Sequence, residues 1–199
     1  IEPFLFGYAA AKVIESYYNF YLSSQDKIVA QFHEWMTGSG ILYLKKYVPQ
    51  IATCFTTHAT VLGRCLAGNN LPLYSELNHF DGEVVANNFN VVSKYSLEKL
   101  SALNADGFST VSEITNRECK QFFGKAVDSI TPNGFDDSFV PKDNDFTIKR
   151  KAAREKIFSI LEQQTGRQDI DKNSFLIINS GRYEFKNKGI DVFIKAMSE

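Results

Sequence analysis

Short apolar runs alternate with helical patterns along most of this chain. Residues 28–32, 51–55, 107–111 and 127–130 read as strands. Helical periodicity separates them over 36–47, 61–67, 84–103 and 115–123, with Val85, Phe89, Val92, Leu100 and Leu103 on one side of the third helix. Strands alternating with helices predict an α/β fold: a Rossmann-like parallel sheet with helices on both faces. A further helix is expected over 4–22, with Pro3 near its first position and Lys12, Glu15, Ser16 and Asn19 as one polar stripe. A Lys and a Glu at mid-helix make a bilayer span costly, so this helix is expected to be largely buried in the α/β core.

The pattern changes after residue 130. Residues 133–144 are rich in Asn, Asp, Gly and Pro and mark a domain boundary. A charged helix follows over 147–164, with Lys149, Arg150, Lys151, Arg154 and Lys156 crowded near its start, which suits a solvated linker helix better than an anion contact. After a loop at 166–173, an apolar run at 175–178 reads as a buried strand and 190–197 as a helix. The expected organisation is therefore 1–135 as the latter part of one Rossmann-like domain, 136–173 as hinge loop and linker helix, and 174–199 as the opening strand and helix of a second. A chain that begins at Ile1 and stops about three turns into a helix reads as an internal piece of a longer protein.

Composition narrows the class. With 199 residues and 44% hydrophobic content the chain can bury a real core. A net charge of −1 argues against a dedicated nucleic-acid binder. Cys54, Cys65 and Cys119 are odd in number and widely spaced, which favours reduced thiols in the cytoplasm over a disulfide framework. His33, His58 and His79 lack metal-ligand spacing, and no P-loop, H-E-x-x-H, G-x-S-x-G or signal peptide is present.

The richest segment chemically is 180–189, Ser-Gly-Arg-Tyr-Glu-Phe-Lys-Asn-Lys-Gly, between the expected strand and the last helix. Glycines let backbone approach a ligand, a helix start offers free N–H groups, and Arg182, Lys186 and Lys188 supply countercharge, so the segment suits phosphates. A solvated basic turn has the same composition. His58 follows a strand and precedes a helix, which puts it at the carboxyl edge of a parallel sheet where ligands bind. Its neighbours Thr56, Thr57 and Thr60 equally suit a hydrogen-bonded structural histidine. Glu34 and Trp35 follow another strand end: they are either sugar contacts, a carboxylate and an apolar face, or a turn leading into a helix.

The 181–189 string, with His33–Glu34–Trp35, Phe55-Thr-Thr-His-Ala-Thr-Val-Leu-Gly-Arg64, Phe108-Ser-Thr-Val-Ser-Glu-Ile-Thr115 and Thr131-Pro-Asn-Gly134, resembles the glycogen synthases of animals, fungi and related bacteria in order and spacing. That resemblance spans nearly the whole chain and implies a two-domain GT-B architecture. It implies retaining transfer of glucose from UDP-glucose to the 4-OH end of an α-1,4-glucan, in the cytoplasm and without a metal or other cofactor. It places His58 over the donor sugar and Arg64, Arg182 and Lys188 on the nucleotide diphosphate, with no known ligand role for Lys186. The family's N-terminal Gly-rich donor loop and C-terminal pair of glutamates are not in this sequence, so the 199 residues alone are expected to be inactive. A nucleotide sugar and an α-glucan are the expected partners, with no nucleic acid or membrane; a homo-oligomer of the full-length protein is left open. Another retaining GT-B transferase of the sucrose or trehalose type, or a non-catalytic glucan- or nucleotide-binding scaffold, remains an alternative, while the lack of G-x-G-x-x-G disfavours a Rossmann dehydrogenase.

Overall fold

Four strands, β1 (Val29–His33), β2 (Ala52–Thr57), β3 (Gly107–Thr110) and β4 (Ser129–Ile130), lie side by side in that order, all parallel, in the computed structural model, which describes residues 1–199. The α/β parallel sheet read from the pattern is therefore present. The chain divides into two units, Ile1–Asn133 with Tyr183–Glu199, and Gly134–Arg182.

Strand order matters for the helices of the first unit. These are α1 (Glu2–Tyr21), α2 (Gly38–Tyr47), α3 (Val61–Gly68), α4 (Gly82–Asn88), α5 (Val92–Asn104), α6 (Glu113–Phe123) and α8 (Ile190–Ser198); α7 (Asp143–Thr165) belongs to the second unit. Right-handed crossovers that always step to the next strand in one direction place their helices on one face of the sheet. Burial largely follows that rule: Ala30, Phe32, Thr53, Phe55, Phe108 and Thr110 are buried, whereas Val29, Gln31 and His33 are exposed and Cys54 and Ser109 half-buried; Thr56 is the exception, buried on the second face where its hydroxyl meets Ser109 Oγ at 2.8 Å.

The core lies between the buried sheet face and its helices. Phe55 stacks on Phe108 at 5.8 Å between ring centroids, Phe108 meets Phe123 of α6 at 6.3 Å, and Phe123 meets Tyr95 of α5 at 6.4 Å. Burying each such ring contributes roughly 1.5–3 kcal/mol. The Tyr95 hydroxyl is kept from being a buried orphan by donating to the Phe122 carbonyl at 2.8 Å.

Several expectations need correction. The helix over 4–22 forms, but it is not largely buried: only Gly7 and Ala11 are, while Phe6, Val13, Tyr17, Phe20 and Tyr21 are exposed. It packs on α2, not on the sheet, so a single small-residue stripe suffices for its contact. The single helix over 84–103 is two, α4 and α5, separated where Asn90 takes a left-handed φ of 54°. That break resets the helical phase, so α5 buries Tyr95, Leu97, Glu98, Ser101 and Ala102 and leaves Leu100 and Leu103 exposed. The strand over 175–178 does not form; Phe175, Ile177 and Ile178 are exposed, and no strand of this chain lies beside them to accept a ladder.

In the second unit, the charged helix α7 is not merely solvated. Arg154 donates through Nη2 to the carbonyls of Lys172 at 2.9 Å and Ser174 at 2.8 Å, and Lys172 pairs with Glu162 at 3.4 Å. These bonds hold the loop after α7 back against the helix. The turn itself is made by Gly166, at φ 68°.

Candidate active site at the carboxyl edge of the sheet

Parallel pairing in register brings the ends of β1 and β2 level, with His33 opposite Thr56. His33 and His58 consequently meet: His33 Nδ1 lies 3.1 Å from His58 Nε2, and the rings are 5.4 Å apart between centroids. Glu34 stands beside them, its Oε1 accepting the His58 backbone N–H at 3.1 Å. The backbone of Glu34 is at φ 65°, ψ 160°, a region that costs a side-chain-bearing residue of order 1–3 kcal/mol. Bonds on both sides hold it there: its N–H donates to the Thr56 carbonyl at 2.9 Å, and Thr37 Oγ1 donates to the His33 and Glu34 carbonyls at 2.7 and 3.2 Å. Strain maintained at the carboxyl edge of a parallel sheet, next to two imidazoles, makes this edge the candidate ligand site.

Two buried carboxylates hold the turn that carries His58. Glu98 of α5 accepts from Thr57 Oγ1 and from the Val61 N–H, both at 2.9 Å. Glu118 of α6 accepts from Thr60 Oγ1 at 2.6 Å and from the Tyr74 hydroxyl at 2.9 Å. Thr60 also caps α3, accepting the Gly63 N–H at 2.9 Å. Gly63 has to be glycine because a Cβ there would overlap Glu118 Oε2. Burial pushes the Glu98 carboxyl up to about 8, opposed by its two hydrogen bonds and reinforced by the charges of Glu34 and Glu118. The Glu118 carboxyl is also raised by burial, against its bonds to Thr60 and Tyr74 and the nearby charge of Arg64.

The remaining expected residues are more dispersed. Arg64 is exposed on the first turn of α3. Trp35 begins a short 3₁₀ turn (Trp35–Thr37) and lines an apolar cleft of about 510 Å³ with Phe4, Leu42, Leu97 and Leu100, with Lys94 Nζ 5.4 Å from its ring centroid. His33 and His58 do not line that cleft. Lys188 is exposed in a turn of the first unit closed by its own N–H to the Glu184 carbonyl at 2.9 Å, and Gly189 follows at φ 63°. In the same turn the Asn187 amide stands where a side chain on Gly68, the last residue of α3, would touch it. Arg182 is exposed in the second unit. Lys186 is committed to Asp191, at 2.8 Å. No group of three or more His, Cys, Asp or Glu side chains is placed to hold a metal ion, and no helix is long and apolar enough to cross a membrane.

The sequence model of the family described as glycogen synthase matches residues 2–199. The chain belongs to that family. It is 34% identical over 199 residues to "Glycogen [starch] synthase" of Caenorhabditis elegans, covering 99% of this chain and 30% of the relative. Against the Neurospora crassa protein of the same name the figures are 31%, 99% and 28%. With the mouse "Glycogen [starch] synthase, liver" it shares 37% identity over 174 residues, 86% of this chain and 25% of the relative. The chain thus spans roughly a quarter to a third of the curated glycogen synthases it matches. Within that stretch the structure brings His33, Glu34 and His58 into direct contact, a grouping that sequence separation hides. Sequence reasoning missed Glu98 and Glu118 altogether. The one available signal was an acidic residue in register with Tyr95 and Ala102 on the buried stripe of α5, at i+3 and i−4.

Proposed function

We propose that the protein to which this chain belongs transfers glucose from a nucleotide sugar, UDP-glucose, to the non-reducing end of an α-1,4-glucan with retention, in the cytoplasm. The observation that carries the reading is the contact of His33, Glu34 and His58 at the carboxyl edge of the parallel sheet, in a chain matched along 2–199 by the glycogen synthase family. In this reading the edge receives the glucose of the donor. His58 Nε2 is occupied by His33, which leaves its Nδ1 for a sugar hydroxyl, while Glu34 fixes the backbone beneath the ring.

Retaining transfer builds positive charge on the sugar and negative charge on the departing diphosphate. Fixed cations and helix N-termini are suited to the latter. Arg64, Arg182 and Lys188 are assigned to it, Arg182 through a bidentate fork and Lys188 as a point charge. Residues 174–199 are read as the opening of the nucleotide-binding half of a GT-B enzyme. Lys186 is left out of the diphosphate contacts and read as a solvent-facing residue, in keeping with its surface pairing with Asp191.

The test uses the full-length protein. Arg182→Ala and Lys188→Ala should each weaken UDP binding by about tenfold to a hundredfold, from the loss of a charge-assisted contact of about 1.5–3 kcal/mol. Uridine, lacking phosphates, should lose little, and Lys186→Ala should be nearly silent. Equal losses at 182, 186 and 188, or equal losses for UDP and uridine, would reduce the segment to a basic surface turn.

A further inference from the structure

Residues 58–60 are a three-residue bridge between the end of β2 and the start of α3, and Glu98 holds both banks of it. Its Oε1 faces Thr57 Oγ1, on the last residue of β2, and its Oε2 faces the N–H of Val61, the first residue of α3. Thr57 Oγ1 in turn lies 3.4 Å from the Ala59 carbonyl, inside the bridge. Glu98 is 0% exposed, so water cannot substitute for either bond. A buried carboxyl is retained on a helix face that would pack more cheaply with an aliphatic side chain.

We propose that Glu98 is a positioning residue for glucosyl transfer: by tying Thr57 to Val61 it sets where the His58 ring stands at the sheet edge. The proposal rests on the reading of His58 as a contact to the donor sugar. Thr57 and Val61 supply all the geometry, and the neutral acid serves as well as the carboxylate. A protonated Glu98 donates to Thr57 Oγ1, which donates on to the Ala59 carbonyl, while the other oxygen still accepts from Val61. Burial, which raises this carboxyl, favours that form. Glutamine reproduces the same pattern, its amide donating to Thr57 and its carbonyl accepting from Val61.

The test is a set of variants of the full-length protein assayed for glucosyl transfer and for UDP binding. Glu98→Met removes both bonds at similar volume and should lower kcat about tenfold to a hundredfold, the effect of a ring misplaced by about 1 Å, with UDP affinity unchanged. Glu98→Gln should stay close to the parent rate. Thr57→Val removes only the β2 side of the tie and should fall between them; it also decides the matter if Glu98→Met does not fold. In a His58→Ala background, Glu98→Met should add less than about a twofold further loss, because both changes act through one ring.

A parent-like rate for Glu98→Met or Thr57→Val overturns the proposal, as does a full multiplicative loss in the His58→Ala background. Loss in Glu98→Gln equal to that in Glu98→Met shows that charge, not the tie, is required, and overturns it too. A failure of the His58 reading is distinct: His58→Ala itself then leaves transfer intact.

Discussion

Glu34 sits in a backbone region that almost only glycine enters freely, at φ 65° and ψ 160°, and its carboxylate supports the His58 amide. The strain is local, and so is what it maintains: one histidine beside another at a strand end. A second residue-scale consequence concerns pH. The Glu98 carboxyl is raised from 4.5 to about 8 by burial, with Glu34 and Glu118 facing it and adding to the shift. Because the folded pKa lies above the unfolded one, the folded state holds this proton more tightly. The stabilisation is complete below about 4.5, declines as pH rises, and is gone once pH passes through about 8. Denaturant unfolding at a series of pH values should therefore show stability falling between these limits, and Glu98→Gln should flatten that slope. A slope unchanged in the variant would mean that other groups carry it. The placement of His58 and Glu34 just past strand ends was legible in the sequence because strand ends and helix starts have local signatures, whereas Arg64 was singled out by the family resemblance alone. Glu98 and Glu118 were not legible, since what makes them matter is a partner 41 or 58 residues away that only the fold supplies.

At the scale of elements, the strands and most helices were readable because burial imposes period 2 or 3.6 on the side chains. The misreading over 84–103 has a single cause. Asn90 turns left-handed, its N–H bonding to the Asn87 carbonyl at 3.0 Å and the Val91 N–H to the Ala86 carbonyl at 2.9 Å, and α5 restarts on a new phase. Apolar residues on both sides of the break preserved the look of one continuous helix. The turn is what points Tyr95 and Glu98 inward. Asn is among the few side-chain-bearing residues tolerant of this backbone, so Asn90→Ala should cost about 1–2 kcal/mol while Asn90→Gly should be close to neutral. In thermal unfolding of the 199-residue chain, that cost corresponds to a Tm lower by roughly 2–8 °C for Ala. A loss at Gly equal to that at Ala would mean the Asn side chain, and not the left-handed backbone, is what the turn needs.

At the scale of the whole molecule, the open side of the fold is as informative as its core. Helices α2 to α6 connect strands that step one way across the sheet, and most residues on the opposite face, Thr56 excepted, remain exposed or half-buried. Exposed apolar side chains also crowd α1, where Phe20 is 79% and Val13 68% exposed, and α8, where Val192 is 66% exposed. Scattered exposed apolar residues are ordinary; whole helix faces of them are not. The long helix over 4–22 was read as buried for this reason: its sequence is that of a covered helix, and coverage is a property of the surroundings that periodicity does not encode. The 199 residues expressed alone should therefore bind an apolar dye such as ANS and associate as concentration rises in sedimentation velocity. Phe20→Ser with Val13→Ser should weaken both effects without loss of helical circular dichroism, since neither side chain belongs to the buried core. The same 199 residues should show no glucosyl transfer from UDP-glucose, because they span only about a quarter to a third of the curated glycogen synthases they match. A monomeric, dye-silent chain would show that these faces need no cover, and robust turnover would show that the edge built by His33, Glu34 and His58 suffices for the chemistry by itself.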